Sequence, residues 1–351
     1  MNENRERIDE PPAAGYLQQQ NAAKQYPLYF PNGQKVPSSG IDSRCGHPLI
    51  RAHGLERRFG LEKLFLKFEG FNPTGTQKDR IAAAQAADAR SKGFGQITLA
   101  TCGNYGVAGA RAAADAGLDC VIFIPAKYHT HRITEMLNVG ATIVRVESDY
   151  EGAVEASRSY AEKSWVYDAN PGPNNAHVQL AAYAEIGREI AGELAENPAL
   201  VAAPLSNGTT LAGVYQGFDS AARENASKRR PKIVGGSTLR QNPIVSSFLN
   251  GSERCVDLDP SAIRETSVNE PLVNWRAADG DIALDAIRES GGWAGYAADY
   301  RLVETSRMLR REVGIDVLPA ATAGLVVLLD SHRLHHQDGG TFVAVLTGRR
   351  L

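Results

Sequence analysis

From about residue 61 onward the chain alternates short β-branched runs with alanine-rich amphipathic segments, and this alternation narrows its fold more than any other feature. Strands that each lead into a helix and then into another strand bury their apolar faces as a parallel sheet with helices packed on it. Leu64–Phe68 reads as a strand, followed by the turn-rich NPTGTQ and a helix over Lys78–Ser91. Ile97–Thr101 is the next strand, CGNYG a turn, and Val107–Ala116 a helix. Strands are then expected at Cys120–Pro125, Thr142–Val146 and Trp165–Asp168, with helices at Ile133–Val139, Tyr150–Lys163 and Ala176–Ala195 between and after them. Val201–Leu205 is a strand that leads into SNGTT and a helix from Leu211, and Lys232–Gly235 is a further strand. Residues 238–300 are mixed and polar and read only coarsely. A helix at Ala321–His332 and a strand at Phe342–Leu346 close the chain, and no internal repeat of fixed period is present.

The chain is 351 residues long, which favours two lobes sharing one cleft over a single lobe. Its formal charge of -2 gives no pull toward nucleic acid or an acidic membrane, so neither is expected as a partner. Cys45, Cys102, Cys120 and Cys255 are dispersed and form no CxxC pair, which points away from zinc and from a disulfide framework. His332, His335 and His336 have helical spacing without a supporting carboxylate arrangement, so a solvated helix end is expected there and no metal. The first dozen residues have no apolar core of a signal peptide, and no apolar stretch reaches the ~20 residues of a membrane span. The expected address is the cytoplasm, with residues 1–40 as a polar arm.

Ligands of such sheets bind beyond the carboxyl ends of the strands, where loops meet helix N-termini. The run Asn72-Pro73-Thr74-Gly75-Thr76-Gln77-Lys78 places Lys78 in the first turn of a strong helix. The positive end of the helix dipole opposes a cation there, so the amine is expected to have a depressed pKa, as a Schiff-base nucleophile requires. A surface lysine that merely starts a helix has the same spacing. Thr101-Cys102-Gly103-Asn104-Tyr105-Gly106 offers backbone N–H groups to a carboxylate, or is a plain turn. Ser206-Asn207-Gly208-Thr209-Thr210 has the hydroxyls, small residues and helix start that a phosphate monoester needs, and it is neither a Walker A nor a GxGxxG motif. Thr347 lies at the end of the last strand.

Taken together, LFLKFEGFNPTGTQKDR (64–80), LATCGNYGVAGA (99–110), PLSNGTTLAG (204–213), DVLPAATAGLVVL (316–328) and VLTG (345–348) resemble threonine synthase. More broadly they resemble the pyridoxal-phosphate enzymes of fold type II, with threonine dehydratase, cysteine synthase and the tryptophan synthase β chain. The resemblance implies an α/β fold of two lobes, each a mostly parallel sheet covered by helices, with the cofactor in the cleft. Residues 41–71 and 179–351 would form the large lobe, and 72–178 a smaller lobe that closes on substrate. It implies that Lys78 holds pyridoxal 5'-phosphate as a Schiff base and shuttles protons. Asn104 would bond the ring oxygen, Ser206, Asn207, Gly208, Thr209 and Thr210 the phosphate, and Thr347 the pyridine nitrogen. Thr101, Cys102, Gly103, Asn104 and Tyr105 would hold the carboxylate of an amino-acid substrate. A homodimer is common among such relatives.

The chain departs from the family pattern in three places. Tyr105 is bulky where relatives have a small hydroxyl residue, Gln77 replaces an aromatic, and Asn170-Pro171-Gly172-Pro173 lacks the arginine that often follows Asn-Pro. Lys127, His129, Arg132 and Arg349 are the candidates to meet an anionic substrate group in its place. The implied reaction is elimination or replacement at the β or γ carbon of an amino acid, led by conversion of O-phosphohomoserine and water to threonine and phosphate. The alternatives are a specialised replacement enzyme making a non-protein amino acid, a threonine or serine dehydratase-like lyase, and a non-catalytic relative that binds cofactor or amino acid.

Overall fold

The computed structural model describes residues 47–101, 103–128, 132–172, 174–225, 228–335 and 340–350. The polar arm expected over residues 1–40 lies outside the described residues, as does Cys102. The first part of the chain runs β1 (Ile50–Arg51), α1 (His53–Phe59), β2 (Lys63–Phe68), α2 (Lys78–Ser91), β3 (Gln96–Ala100), α3 (Asn104–Ala116) and β4 (Asp119–Pro125). It continues through α4 (Ile133–Asn138), β5 (Thr142–Val146), α5 (Tyr150–Ser164), β6 (Tyr167–Asp168), α6 (Ala176–Glu193), β7 (Leu200–Pro204) and α7 (Thr209–Glu224). The last part is β8 (Lys232–Thr238), α8 (Pro243–Leu249), α9 (Gly280–Glu289), β9 (Trp293–Ala297), α10 (Asp299–Glu312), α11 (Ala323–His335) and β10 (Thr341–Leu346).

The strands form two sheets. One has six strands in the order β1-β2-β10-β7-β8-β9, parallel except for β1, and the other has four in the order β5-β4-β3-β6, all parallel. Strands β7 and β10 are buried along nearly their whole length, which is why they read as continuous apolar runs without alternation. Helix α2 buries Ile81, Ala82, Ala86 and Ala89 against α3 and α6, and the small side chains let these helices approach closely. Trp165, expected to begin a strand, instead takes a left-handed conformation (φ 53) that ends α5, so β6 is shorter than expected.

A buried ionic group ties the start of α2 to the rest of the fold. Arg80 donates to Glu69 from Nε (2.6 Å) and Nη2 (2.9 Å), and to Glu189 from Nη1 and Nη2 (both 2.8 Å). Lys67 completes the group by pairing with Glu189 at 2.7 Å. The carboxyl ends of β2, β3, β7 and β10 lead into the loops that line a common cavity.

Candidate active site

The cavity has a volume of about 650 Å³. Lys78 is the first residue of α2 and reaches the cavity from a loop held by its own polar groups. In that loop Asn72 Nδ2 donates to the Thr76 carbonyl at 3.0 Å, and Thr74 donates to Asp79 Oδ2 from both N (3.0 Å) and Oγ1 (2.9 Å). The end of β10 packs on the same loop: Gln77 N donates to the Thr347 carbonyl and Arg349 N to the Gly75 carbonyl, both at 2.9 Å. Thr347 is thereby brought beside Lys78 from the opposite end of the chain.

The Lys78 amine lies 5.5 Å from the centre of the Tyr105 ring. It keeps some accessible surface because it faces the cavity, but it sits deep in the protein. Burial brings its pKa down from 10.5 to about 8, and the nearby Asp279 carboxylate opposes part of that fall. A depressed value was expected from the helix dipole; the largest cause is burial.

Asn104 opens α3 and lines the cavity. Its Oδ1 accepts a 2.7 Å hydrogen bond from Arg132 Nη1, which leaves Nδ2 as the end of the amide that can donate to a bound group. Thr101 caps this helix: its Oγ1 accepts from Gly103 N at 3.0 Å and Gly106 N at 3.2 Å. The N–H groups of Asn104 and Tyr105 have no helical partner by position and remain for an anion. Tyr105 presents its ring to the cavity, but its hydroxyl is engaged elsewhere. It donates to the Ala169 carbonyl at 2.6 Å and accepts from Gln85 Nε2.

Ser206 to Thr210 line the cavity together, where β7 gives way to α7. Gly208 has φ 95, and a Cβ there would lie 2.7 Å from Ala283 Cβ and 2.9 Å from the Asp279 carbonyl. Glycine is therefore required for this turn, which opens the first N–H groups of α7. Residues 274–279 hold the loop from behind: Asn207 Oδ1 accepts from Ala278 N at 3.2 Å, and the Thr209 hydroxyl donates to the Asp279 carboxylate.

Lys127 is not where it was expected. It is exposed on the turn after β4 and does not line the cavity, because Arg145 Nη1 bonds the carbonyls of Pro125 (3.4 Å) and Tyr128 (2.6 Å) and fixes that turn. Arg132 and Arg349 do line it, whereas His129 lies outside the described residues. The sequence reading missed Asp279, Glu151, Glu265 and Glu270, which also reach the cavity or its charged groups. Only the position of Asp279 ahead of an amphipathic run could have signalled it.

Tyr183 is fully buried at the cavity wall, and among the described residues its hydroxyl has no partner in good hydrogen-bonding geometry, with Thr210 near enough for only a weak hydrogen bond. Such an orphaned group costs about 1–3 kcal/mol. Tyr183→Phe should therefore stabilise the cofactor-free protein by about 1 kcal/mol and weaken cofactor binding roughly tenfold. Thermal melts and a fluorescence titration read the two effects, and an unchanged affinity would mean that the hydroxyl serves no bound group.

These residues fit pyridoxal phosphate. A lysine able to lose its proton, a helix N-terminus flanked by hydroxyls and an orphaned buried hydroxyl, and an amide with its donor end available are what its aldehyde, phosphate and ring oxygen require.

The comparisons with known proteins agree with that chemistry. Threonine synthase of Methanocaldococcus jannaschii is 28% identical over 323 residues, covering 89% of this chain and 77% of that protein. Among solved structures, maize serine racemase superposes with a TM-score of 0.74 at 19% identity, covering 88% of this chain and 89% of that one. The processed form of threonine deaminase isoform 2 from Solanum lycopersicum gives 0.73 at 17% identity, covering 88% and 84%. At these identities the structures speak for the fold, an α/β arrangement of mostly parallel sheets and helices. The sequence profile described as "Pyridoxal-phosphate dependent enzyme" matches residues 43–348, and the chain belongs to that family.

Proposed function

We propose that this pyridoxal-phosphate dependent enzyme catalyses elimination or replacement at the β or γ carbon of an amino acid, and that its leading reaction converts O-phosphohomoserine and water to threonine and phosphate. The observation that carries the reading is the buried Lys78 amine, with a pKa of about 8, in a cavity that also holds the α7 N-terminus, Asn104 and Thr347. The similarity to threonine synthases over most of the chain supports the choice of substrate.

In this reading Lys78 carries the cofactor through its amine and then takes and returns the proton at the substrate α carbon. Ser206 to Thr210 hold the phosphate, and Asn104 holds the ring oxygen. Thr347, on the cavity wall, would offer the pyridine nitrogen a neutral hydroxyl in place of a carboxylate. The cofactor, when bound, supplies the electron sink that acidifies the α C–H. Thr101, Gly103 and the first-turn N–H groups of α3 hold the substrate carboxylate. Residues 72–178, which contain the whole four-stranded sheet, act as the lobe that closes on substrate. The enzyme works as a homodimer in the cytoplasm, and no helix of the described residues is long and apolar enough to cross a membrane.

Arg307, Arg349 and Arg350 line the cavity and have no carboxylate partner among the described residues, so they supply the positive charge that a phosphorylated substrate needs. Loss of one charge-assisted contact of ~1.5 kcal/mol corresponds to about tenfold in affinity. Arg349→Ala is therefore expected to raise KM for O-phospho-L-homoserine about tenfold, with a much smaller effect on kcat. Phosphate release from that compound tests the reaction itself, and absence of release would exclude it.

One observation favours a second reading, a specialised replacement enzyme with an amine-bearing substrate. Glu151, Glu265 and Glu270 line the same cavity. Burial pushes Glu270 up to about 7, against a hydrogen bond from Tyr128 that favours the carboxylate. Under this reading a diamino acid or amine nucleophile changes the absorbance of the loaded enzyme where O-phospho-L-homoserine does not.

A further inference from the structure

Arg132 is 3% exposed, and every nitrogen of its guanidinium is engaged. Nη1 donates to Asn104 Oδ1 at 2.7 Å and Nη2 to the Thr74 carbonyl at 3.0 Å. Nε and Nη2 also pair with Glu135 at 2.8 and 2.9 Å. One side chain thus joins the loop that leads to Lys78 to the loop that carries Asn104, and Glu135 holds it in orientation from the outer side. The Thr74 end is rigid, because Thr74 donates twice to Asp79 next to Lys78.

The chemical consequence lies in the Asn104 amide. An amide can present either its oxygen or its NH₂ group to the cavity, and the two have opposite effects on an anionic oxygen. Arg132 has donors only, so it bonds the amide oxygen and leaves the NH₂ end for the other side. Its charge also polarises the amide and strengthens that donor. We infer that Arg132 is a positioning residue that locks the Asn104 amide with Nδ2 as the donor to the cofactor ring oxygen and holds that donor at a fixed distance from Lys78. The inference rests on the reading that Asn104 meets the ring oxygen.

A donor on the ring oxygen withdraws charge from it and so weakens its hold on the proton shared with the lysine-linked nitrogen. Without the donor, that proton is retained to higher pH. Among the described residues, the charged groups around Arg132 include Glu135, in direct contact, and Asp79, whose carboxyl is pushed up by burial, with the Thr74 hydrogen bonds and the guanidinium opposing part of that rise.

The test is a pH titration of the visible absorbance of full-length protein loaded with pyridoxal phosphate, comparing wild type, Arg132→Met, Arg132→Lys and Asn104→Asp. Arg132→Met and Asn104→Asp should both move the midpoint up by about one pH unit, the size of one hydrogen bond. Arg132→Lys, which keeps the charge but has one donor nitrogen in place of three, should fall between Arg132→Met and wild type. The double variant Arg132→Met with Asn104→Asp should move the midpoint no further than the larger single change, since both act through one contact. A midpoint that moves in Asn104→Asp but stays at the wild-type value in Arg132→Met overturns the inference and keeps the Asn104 reading. A midpoint unmoved in both overturns the Asn104 reading, and the inference with it. If Arg132→Met does not retain cofactor, the Arg132→Lys midpoint decides between the same outcomes.

Discussion

Alanine in place of Lys78 should lower kcat by about four orders of magnitude or more, because one side chain carries both the link to the cofactor and the proton transfer at the α carbon. No other lysine lines the cavity among the described residues, so none is positioned to substitute. Borohydride reduction of the loaded enzyme, followed by peptide mass analysis, should place the cofactor mass on the Lys78 peptide in wild type and nowhere in the variant. A reducible adduct that persists in Lys78→Ala would move the assignment to another lysine. The pH behaviour gives an independent check. Below about 8 the amine is mostly protonated and a poor nucleophile, so capture of added pyridoxal phosphate by cofactor-free protein should accelerate as pH rises through 8 and then level off. Linkage runs in the same direction. Between about 8 and 10.5 the unfolded chain holds this proton and the folded protein does not, so stability gains from this group as pH rises across that window. Lys78→Ala should remove that component.

Legibility in the sequence followed the strength of local patterns. Helix α2 begins and ends where its alanine-rich run predicts, and β5 matches the β-branched stretch Thr142–Val146, because in both the local pattern and the tertiary packing agree. The three loops at strand ends were visible as clusters of Gly, Asn, Ser and Thr, and the structure gathers them with Thr347 around one cavity. The stretch after residue 238 was harder to read. It folds through short 3-10 turns at Pro260–Ala262 and Glu270–Leu272 that have no apolar period, and from it come Glu265, Glu270, Trp275 and Asp279. The choice between Lys127 and Arg132 depended on a turn pinned by Arg145 from the neighbouring strand, a contact that spacing along the chain does not encode. The pKa of Lys78 shows the same limit. The direction expected from the helix start is the one found, but the fall comes from burial, to which segments remote in sequence contribute.

The largest effect on stability should come from Arg80, two positions beyond the cofactor lysine. Its guanidinium lies between Glu69, which is fully buried, and Glu189, with four hydrogen bonds of 2.6 to 2.9 Å. Removing the cation strands the Glu69 carboxylate in a place water does not reach, where Asn72 Nδ2 is its remaining partner at 2.8 Å. Such uncompensated buried charge typically costs about 3–5 kcal/mol, a large part of the stability of most domains. Arg80→Ala should lose that amount in urea unfolding of the cofactor-free protein. Arg80→Lys should recover only part of it, since a single ammonium cannot reproduce the paired contacts to both carboxylates. The decisive comparison is the double variant Arg80→Leu with Glu69→Leu. If the cost of Arg80→Ala comes from the stranded charge, replacing both partners with apolar side chains should recover much of the loss. If the double variant is as unstable as Arg80→Ala, the arginine acts instead by shaping the start of α2. In that case the cofactor affinity of both variants should fall together with their stability, because Lys78 takes its position from that same first turn.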